Sequence, residues 1–354
     1  MARPTASLAR AVLLCSTLLL GLATCHDTTR KVKAGQSIQA VINDAQPGDH
    51  IVVEAGTYTE QLTITKNNIQ LSAKKGVIIV PPSAPTPNSC SGLAGPGSEA
   101  GICISGADIT FGDLEMPGHR KVTTVGHYVE NVKVEGFNVI GFGLNIAILG
   151  AKDADVRKNT VSEGGWYGIL TVGSVSSLVT RNTVKSSGLF FIGICMDDKS
   201  DVHVTQNVIS DYGIGLCVQT NGADVGHNKV SNCCFGAFID PFINGAKVTH
   251  NHIGPSNPLC QTQFGGFSGG ILVDGATNAE VRHNDVSGIT DYGNPNQTAY
   301  GIGIVDEPGT TATGNQVTHN TLYNNDLDIL FFTLGTDNEV AHNNCTTPSE
   351  LCSK

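Results

Sequence analysis

The sequence predicts an all-β protein: a single right-handed parallel β-helix solenoid with a short N-terminal capping helix. Three observations carry this. A unit of Val, any residue, a polar residue and Asn recurs along the chain. The stretches between the units are alternating Val/Ile runs broken by Gly, where helices would show a 3.6-residue period. Glycine is plentiful (42 of 354 residues) and charged residues make up only 15%, which suits stacked coils joined by tight turns.

The repeat ends on Asn159, Asn182, Asn207, Asn228, Asn251, Asn284, Asn320 and Asn343, each three residues after a valine, and Asn138 extends it one step earlier. The steps between the asparagines are 23, 25, 21, 23, 33, 36 and 23 residues. A fixed period of this size marks a solenoid whose coils bury their apolar faces only by stacking. At ~4.8 Å per coil the asparagines can form a side-chain ladder. Asn also tolerates the left-handed backbone of a tight corner.

The chain opens with Arg3 and Arg10, an apolar run over Ala11–Leu20 and small residues at Gly21-Leu22-Ala23. The run is far short of the ~20 residues of a membrane span, so residues 1–25 read as a signal peptide. Leu22 to Cys25 also loosely resembles a lipoprotein box. Residues 26–354 then form one β-helix domain, with the cap and first coils at 31–75 and regular coils at 130–345. Ser37 begins a short helix whose Ile38, Val41, Ile42 and Ala45 share one face, and Pro47-Gly48 ends it. Strands are expected at Ile51–Val53, Leu62–Ile64 and Ile69–Leu71. The stretch Gly35–Val41, Gly48–Val53 and Gly56-Thr57-Tyr58 resembles the opening of pectate-lyase-like and NosD-type β-helix proteins. With the Asn repeat, the resemblance covers nearly all of 31–345. It implies the fold; the function stays open, because this architecture hosts many chemistries.

The net charge of −10 argues against nucleic acid as a partner. Eleven cysteines become ten if cleavage follows Ala23, an even number that in an exported chain implies disulfides. Cys90/Cys103 and Cys345/Cys352 are the local candidates, and the neighbours Cys233-Cys234 have no assigned partner. Asn296 and Asn344 stand in glycosylation sequons, so a secreted glycoprotein is expected.

A second strand in each coil is opened by glycine: Gly168, Gly193, Gly215, Gly236, Gly270 and Gly303. Positions +1 and +3 from it are apolar and face the core, which sends positions 0, +2 and +4 outward. The +2 column reads Leu170, Cys195, Cys217, Phe238, Leu272, Val305, and the +4 column reads Val172, Asp197, Gln219, Asp240, Asp274, Glu307. Trp166 and Phe191 share the outward parity. An exposed apolar stripe of this length marks a binding site or an interface. Two coils carry about 11 extra residues, near Gly254–Gly269 and Gly288–Tyr300, which should project together beside this face.

The acidic column needs a solvated surface, a cation such as calcium, or a carboxyl that holds its proton. The last choice makes Asp197, Asp240, Asp274 and Glu307 the candidate catalytic residues, unless they simply form turns, as Asp240-Pro241 and Glu307-Pro308 suggest. Trp166, Leu170, Phe191, Gln219, Phe238, Leu272 and Val305 are the candidate substrate contacts. The histidines at 227, 250, 283, 319 and 342 follow the repeat and read as stacked rings, with no resident metal expected.

Three functions are compatible with this face. An apolar groove with sparse carboxylates suits a small apolar ligand undergoing acid/base-assisted cyclisation or isomerisation, fungal hetero-Diels–Alder chemistry included. The alternative is a polysaccharide lyase, epimerase or hydrolase. Resemblance to polygalacturonases would imply Gly-His-Gly and Arg-Ile-Lys segments; only Met196-Asp197-Asp198 resembles their Asp pair. The Asp-Pro-His signature of alginate epimerases is replaced by Ile239-Asp240-Pro241-Phe242. The third is a non-enzymatic β-helix whose apolar stripe is buried in a homodimer or under its own tail.

Overall fold

A computed structural model describes residues 28–114, 118–294 and 298–352. The segment 1–25 expected to be a signal peptide and the Asn296 sequon lie outside these residues. Each regular coil contributes three strands. One stack forms a 12-stranded parallel sheet, from Thr29–Val32 to Glu339–Ala341 among the described residues. A second stack holds short strands such as Thr160–Ser162 and Lys229–Ser231. A third runs from Leu62–Ile64 through Tyr167–Val172 to Leu327–Phe332. In Thr183–Asp197 and Val208–Val218 the second and third strands run together.

Register is kept from coil to coil, so like sits on like. Val156 pairs with Val179, Val179 with Val204 and Val204 with Val225, and all four are fully buried. The strands are near-continuous in apolar character on the inner face, as parallel sheets covered on that side require.

The Asn ladder forms from Asn159 to Asn343. Asn138 falls one residue out of it, because Phe137 occupies the corner position and its amide donates to Asn159 Oδ1 (3.0 Å), while Asn138 pairs with Thr160 in the second strand stack. Asn182 donates from Nδ2 to Asn207 Oδ1 (3.1 Å) and to the Val156 carbonyl (2.9 Å). Its own Oδ1 accepts from the Asn159 amide (3.0 Å) and Asn159 Nδ2 (3.1 Å). The same four bonds recur at Asn207, Asn228, Asn251, Asn284 and Asn320, across the 33- and 36-residue coils as well, while Asn159 and Asn343 end the series with three each. Each carboxamide within the stack is thereby saturated, which is the condition for burying it at all. The left-handed backbone does not fall on these asparagines. It falls on the residue before each: Lys158, Arg181, Gln206, His227, His250, His283, His319 and His342 all have φ between 52° and 58°. The asparagine's task is hydrogen bonding, and the corner's strain is taken by its exposed neighbour.

Those neighbours stack. His227, His250, His283, His319 and His342 lie with ring centroids 4.9–5.2 Å apart. Partial burial, then the flanking His227 and His283, hold the His250 pKa below its usual value.

The cap follows its sequence signals. The helix is Ile38–Asp44, and the Ser37 side chain accepts from the Ala40 amide (3.1 Å). Ile38, Ile42 and Ala45 are buried against the first coils. Three disulfides are present among the described residues: Cys90–Cys103, Cys234–Cys260 and Cys345–Cys352. The second ties the insertion after Ile253 to its coil and gives Cys234 its partner. That insertion and the one after Gly288 meet, with Tyr292 Oη donating to the Ser256 carbonyl (2.5 Å).

Between Val80 and Val129 the chain leaves the solenoid twice, returning for the strand Ala100–Ser105: first in a loop, then in an antiparallel hairpin, Ala107–Leu114 and Arg120–His127. The sequence pattern gave no sign of these excursions, and they decide what the outer face can do.

Two outcomes follow from the ladders. Replacing Asn228 by Ala strips partners from the Asn207 amide and Nδ2 and from the Val204 carbonyl; denaturant unfolding should show a loss of about 3 kcal/mol or more. For His250, a folded pKa below the unfolded value means its contribution to stability is intact above about pH 6.5 and is lost as pH falls below it. The Tm loss between pH 7 and 5.5 should be smaller in His250→Gln than in the parent.

Candidate functional site

The parity assignment holds for the apolar +2 column and fails for the glycines. Ile169, Ile194, Leu216, Ala237 and Ile271 lie in the solenoid core, whereas Leu170, Cys195 and Cys217 belong to a separate cluster outside it. The glycines turn inward. A Cβ on Gly168 would stand 2.4 Å from Val184 Cγ1, and one on Gly236 would stand 2.2 Å from Ile253 Cγ2. The third outward column is therefore the residue before each glycine: Tyr167, Ile192, Ile214, Phe235, Tyr300. The last coil also shifts. Leu272 pairs with Gly303 and Asp274 with Val305, so Gly301 is the true glycine and Val305 continues the acidic column. Glu307 lies beyond the strand in a turn closed by Thr310, yet it still acts electrostatically on Asp274.

The expected open apolar groove does not exist along the first half of this face. Cys90, Leu93, Ala94 and Val122 pack onto Leu170, Val172, Cys195 and Cys217, with Ile109, Phe111 and Val125 beside them. Leu170 is therefore a packing residue under the hairpin and is withdrawn as a substrate contact. Trp166 and Phe191 meet edge to face at 6.0 Å against the same cluster. Over this half the stripe is covered by the chain's own loop and hairpin. Further along, Leu272 is buried under Cys234, Phe235, Cys260 and Tyr300, while Phe238 and Val305 are half-buried at the margin.

The acidic column begins where the cover ends. Asp197, Gln219, Asp240 and Asp274 follow one another on consecutive coils, as the pairing of their strand neighbours shows. The hairpin's second strand brings cationic and imidazole groups to its head. Lys121 Nζ lies 3.3 Å from Asp197 Oδ2 and donates to Gln219 Oε1 (2.6 Å). His119 Nε2 is 3.0 Å from Asp197 Oδ2, and its Nδ1 is 3.1 Å from Tyr167 Oη. Gln219 Nε2 donates to Asp240 Oδ2, and the Cys217 thiol lies 3.8 Å from Asp240 Oδ1. Asp274 has no hydrogen-bond partner among the described residues. Sequence reasoning missed His119 and Lys121 because they lie outside the repeat; nothing in their local pattern tells which coil the hairpin covers.

Burial and neighbouring charges set the acidities. Burial pushes Asp240 up to about 7, with the Gln219 bond and Lys121 working against it. Burial, then Glu307, raises Asp274 to about 6. Burial would lower Lys121, but Asp197 overrides it and the pKa stands above its usual value. The column thus answers its own repulsion in two ways: Lys121 supplies the cation at one end, and retained protons relieve the other. Among the described residues no three His, Cys, Asp or Glu side chains converge on a metal position. The stacked histidines present parallel rings, not a convergent ligand set.

The neighbouring Asp198 has a different environment. It lies inside the solenoid, accepts from the Ser174 amide (3.2 Å) and donates its own amide to Thr220 Oγ1 (2.7 Å). The resemblance of Asp197-Asp198 to a paired catalytic motif ends there, because the two carboxyls fall on opposite sides of the sheet.

These features define the class. The chain belongs to the right-handed parallel β-helix superfamily. More particularly, residues 100–262 match the family model described as periplasmic copper-binding protein (NosD), and residues 192–349 match that of the right handed beta helix region. No curated protein matches the chain in sequence. Among solved structures, DFA-IIIase from Arthrobacter chlorophenolicus A6 without its lid, in complex with GF2, is 14% identical at TM-score 0.57, over 89% of this chain and 91% of that one. The Yersinia enterocolitica family 28 exopolygalacturonase is 12% identical at 0.55 (89% and 79%). The alginate lyase from Paenibacillus sp. str. FPU-7 is 15% identical at 0.52 (88% and 99%). The chain spans 56% of the length of the Geobacillus virus E2 ORF18 protein, which it also resembles. At these identities the likeness establishes a fold shared with polysaccharide-active enzymes.

Lys121→Met should test the electrostatic account. It removes the cation beside Asp197, so the variant should unfold at a lower temperature than the parent at pH 8. The gap should narrow with added salt, which screens the partly exposed pair.

Proposed function

We propose that this protein is an exported carbohydrate-active enzyme that acts on glycosidic bonds at the Asp197–Asp274 column. The observation that carries the reading is a pair of neighbouring carboxyls, Asp240 and Asp274, with pKa values of about 7 and about 6 at the edge of a covered face. Two carboxyl groups with separated acidities are what acid/base cleavage of an acetal needs. Asp240, the higher, serves as the acid; Asp274, the lower and unpartnered, serves as the base or nucleophile. Lys121, His119 and Gln219 hold Asp197 and Asp240 in place, which makes them positioning residues. The three disulfides support export, since such bonds persist in oxidising compartments.

The substrate is inferred to be a neutral glycan. The column is acidic, and its one lysine is already engaged by Asp197 and Gln219, so a polyuronate would meet net repulsion. The exposed rings of Phe242 and Phe332 suit stacking against sugar faces. The hairpin blocks the face at the Asp197 end, so a chain enters from the C-terminal coils and presents its end. Cyclisation of an apolar ligand loses its support, because the groove it required is filled by the hairpin.

Asp240→Asn and Asp274→Asn should each cut turnover about 10²-fold or more while leaving the far-UV circular dichroism unchanged. The rate of the parent should fall as pH rises above about 7, where Asp240 loses its proton. A screen of neutral and uronic polymers should give short products from chain ends, read by chromatography, and full activity in both variants would remove the assignment.

A further inference from the structure

Three cysteines outside the disulfides stand on this face or beside it: Cys195, Cys217 and Cys233. Cys233 packs in the solenoid core, whereas the other two face each other. Cys195 and Cys217 are register partners on adjacent parallel strands, both in the apolar column under the hairpin. Their Sγ atoms are 2.8 Å apart, closer than two unbonded sulfurs pack. Direct cross-strand partners have Cα atoms within the range that a disulfide bridges. No other cysteine among the described residues competes for either.

We propose that Cys195 and Cys217 form a fourth disulfide, stapling adjacent coils directly beneath the head of the acidic column. The reaction is an exchange with an oxidised dithiol of the export compartment: two cysteine thiols and one R–S–S–R give the intramolecular bond and two R–SH. The two protons and two electrons leave with the reduced oxidant. Burial raises both thiols, and Cys195 pushes Cys217 further the same way, so neither readily becomes the attacking thiolate once covered. The exchange therefore belongs to folding, before Cys90, Leu93 and Val122 close over the pair. The bond fixes the spacing of the coils that carry Asp197 and Gln219. It also removes the thiol hydrogen beside Asp240 Oδ1, leaving Gln219 as that carboxyl's remaining side-chain donor.

The test uses the full chain, denatured without reductant and alkylated before trypsin. Cys195 is the single cysteine of peptide 186–199, and Cys217 of peptide 200–229. The expected result is one cross-linked species of the two, which separates on reduction into peptides that each accept one alkyl group. Recovery of both peptides already alkylated, without reduction, overturns the proposal; so does either peptide linked to the Cys233 peptide at 230–247. The readout is independent of any activity, so it stands apart from the enzymatic reading above.

Discussion

The constraint on which this structure depends is that a buried carboxamide must have all its hydrogen bonds made. Within the stack, an asparagine at a coil corner does this with another asparagine directly above and another directly below. That requirement fixes the register of every coil against the next, and with it the alignment of each outer column. The carboxyls at 197, 240 and 274 stand in line because the asparagines at 182, 228 and 251 do. The surplus residues of the long coils are expelled as loops on one side, since the ladder admits no interruption.

The chemistry of the outer face comes from how it is covered. A solenoid alone would present an apolar stripe and an acidic stripe to water. The excursions between Val80 and Val129 bury the first and cap the second with a lysine and a histidine. The boundary of that cover places Asp240 and Asp274 where water is partly excluded. Their shifted acidities are a consequence of this edge, because desolvation is the largest influence on each.

Much of this was legible in the residues. The period of the asparagines, the inward Val/Ile pairs, the helix begun by Ser37 and the outward parity of Cys195, Asp197 and Asp240 are local, repeating signals. What was not legible involves single events. The bend that turns Gly168 and its equivalents inward breaks strict alternation, and counting by two cannot detect it. Tyr300-Gly301-Ile302-Gly303 offers two glycines, and only the pairing with Gly270 chooses between them. The covering hairpin has no repeat to announce where it lands, so the stripe at Leu170 read as open. The left-handed corner was placed on Asn by its general preference, yet the side-chain ladder needs that residue, and the strain moved one position back.

The asparagine-to-asparagine bonds of the ladder all run one way, while the other N–H of each carboxamide returns to a valine carbonyl of the coil before. Each carboxamide NH₂ points to the oxygen of the following coil, and each oxygen also receives the main-chain NH of the coil before. A half-built stack thus always ends in donors awaiting an acceptor, and the next stretch of polypeptide supplies it. The stack is therefore polar: a coil added at its C-terminal end brings an acceptor, and one added at its N-terminal end brings donors.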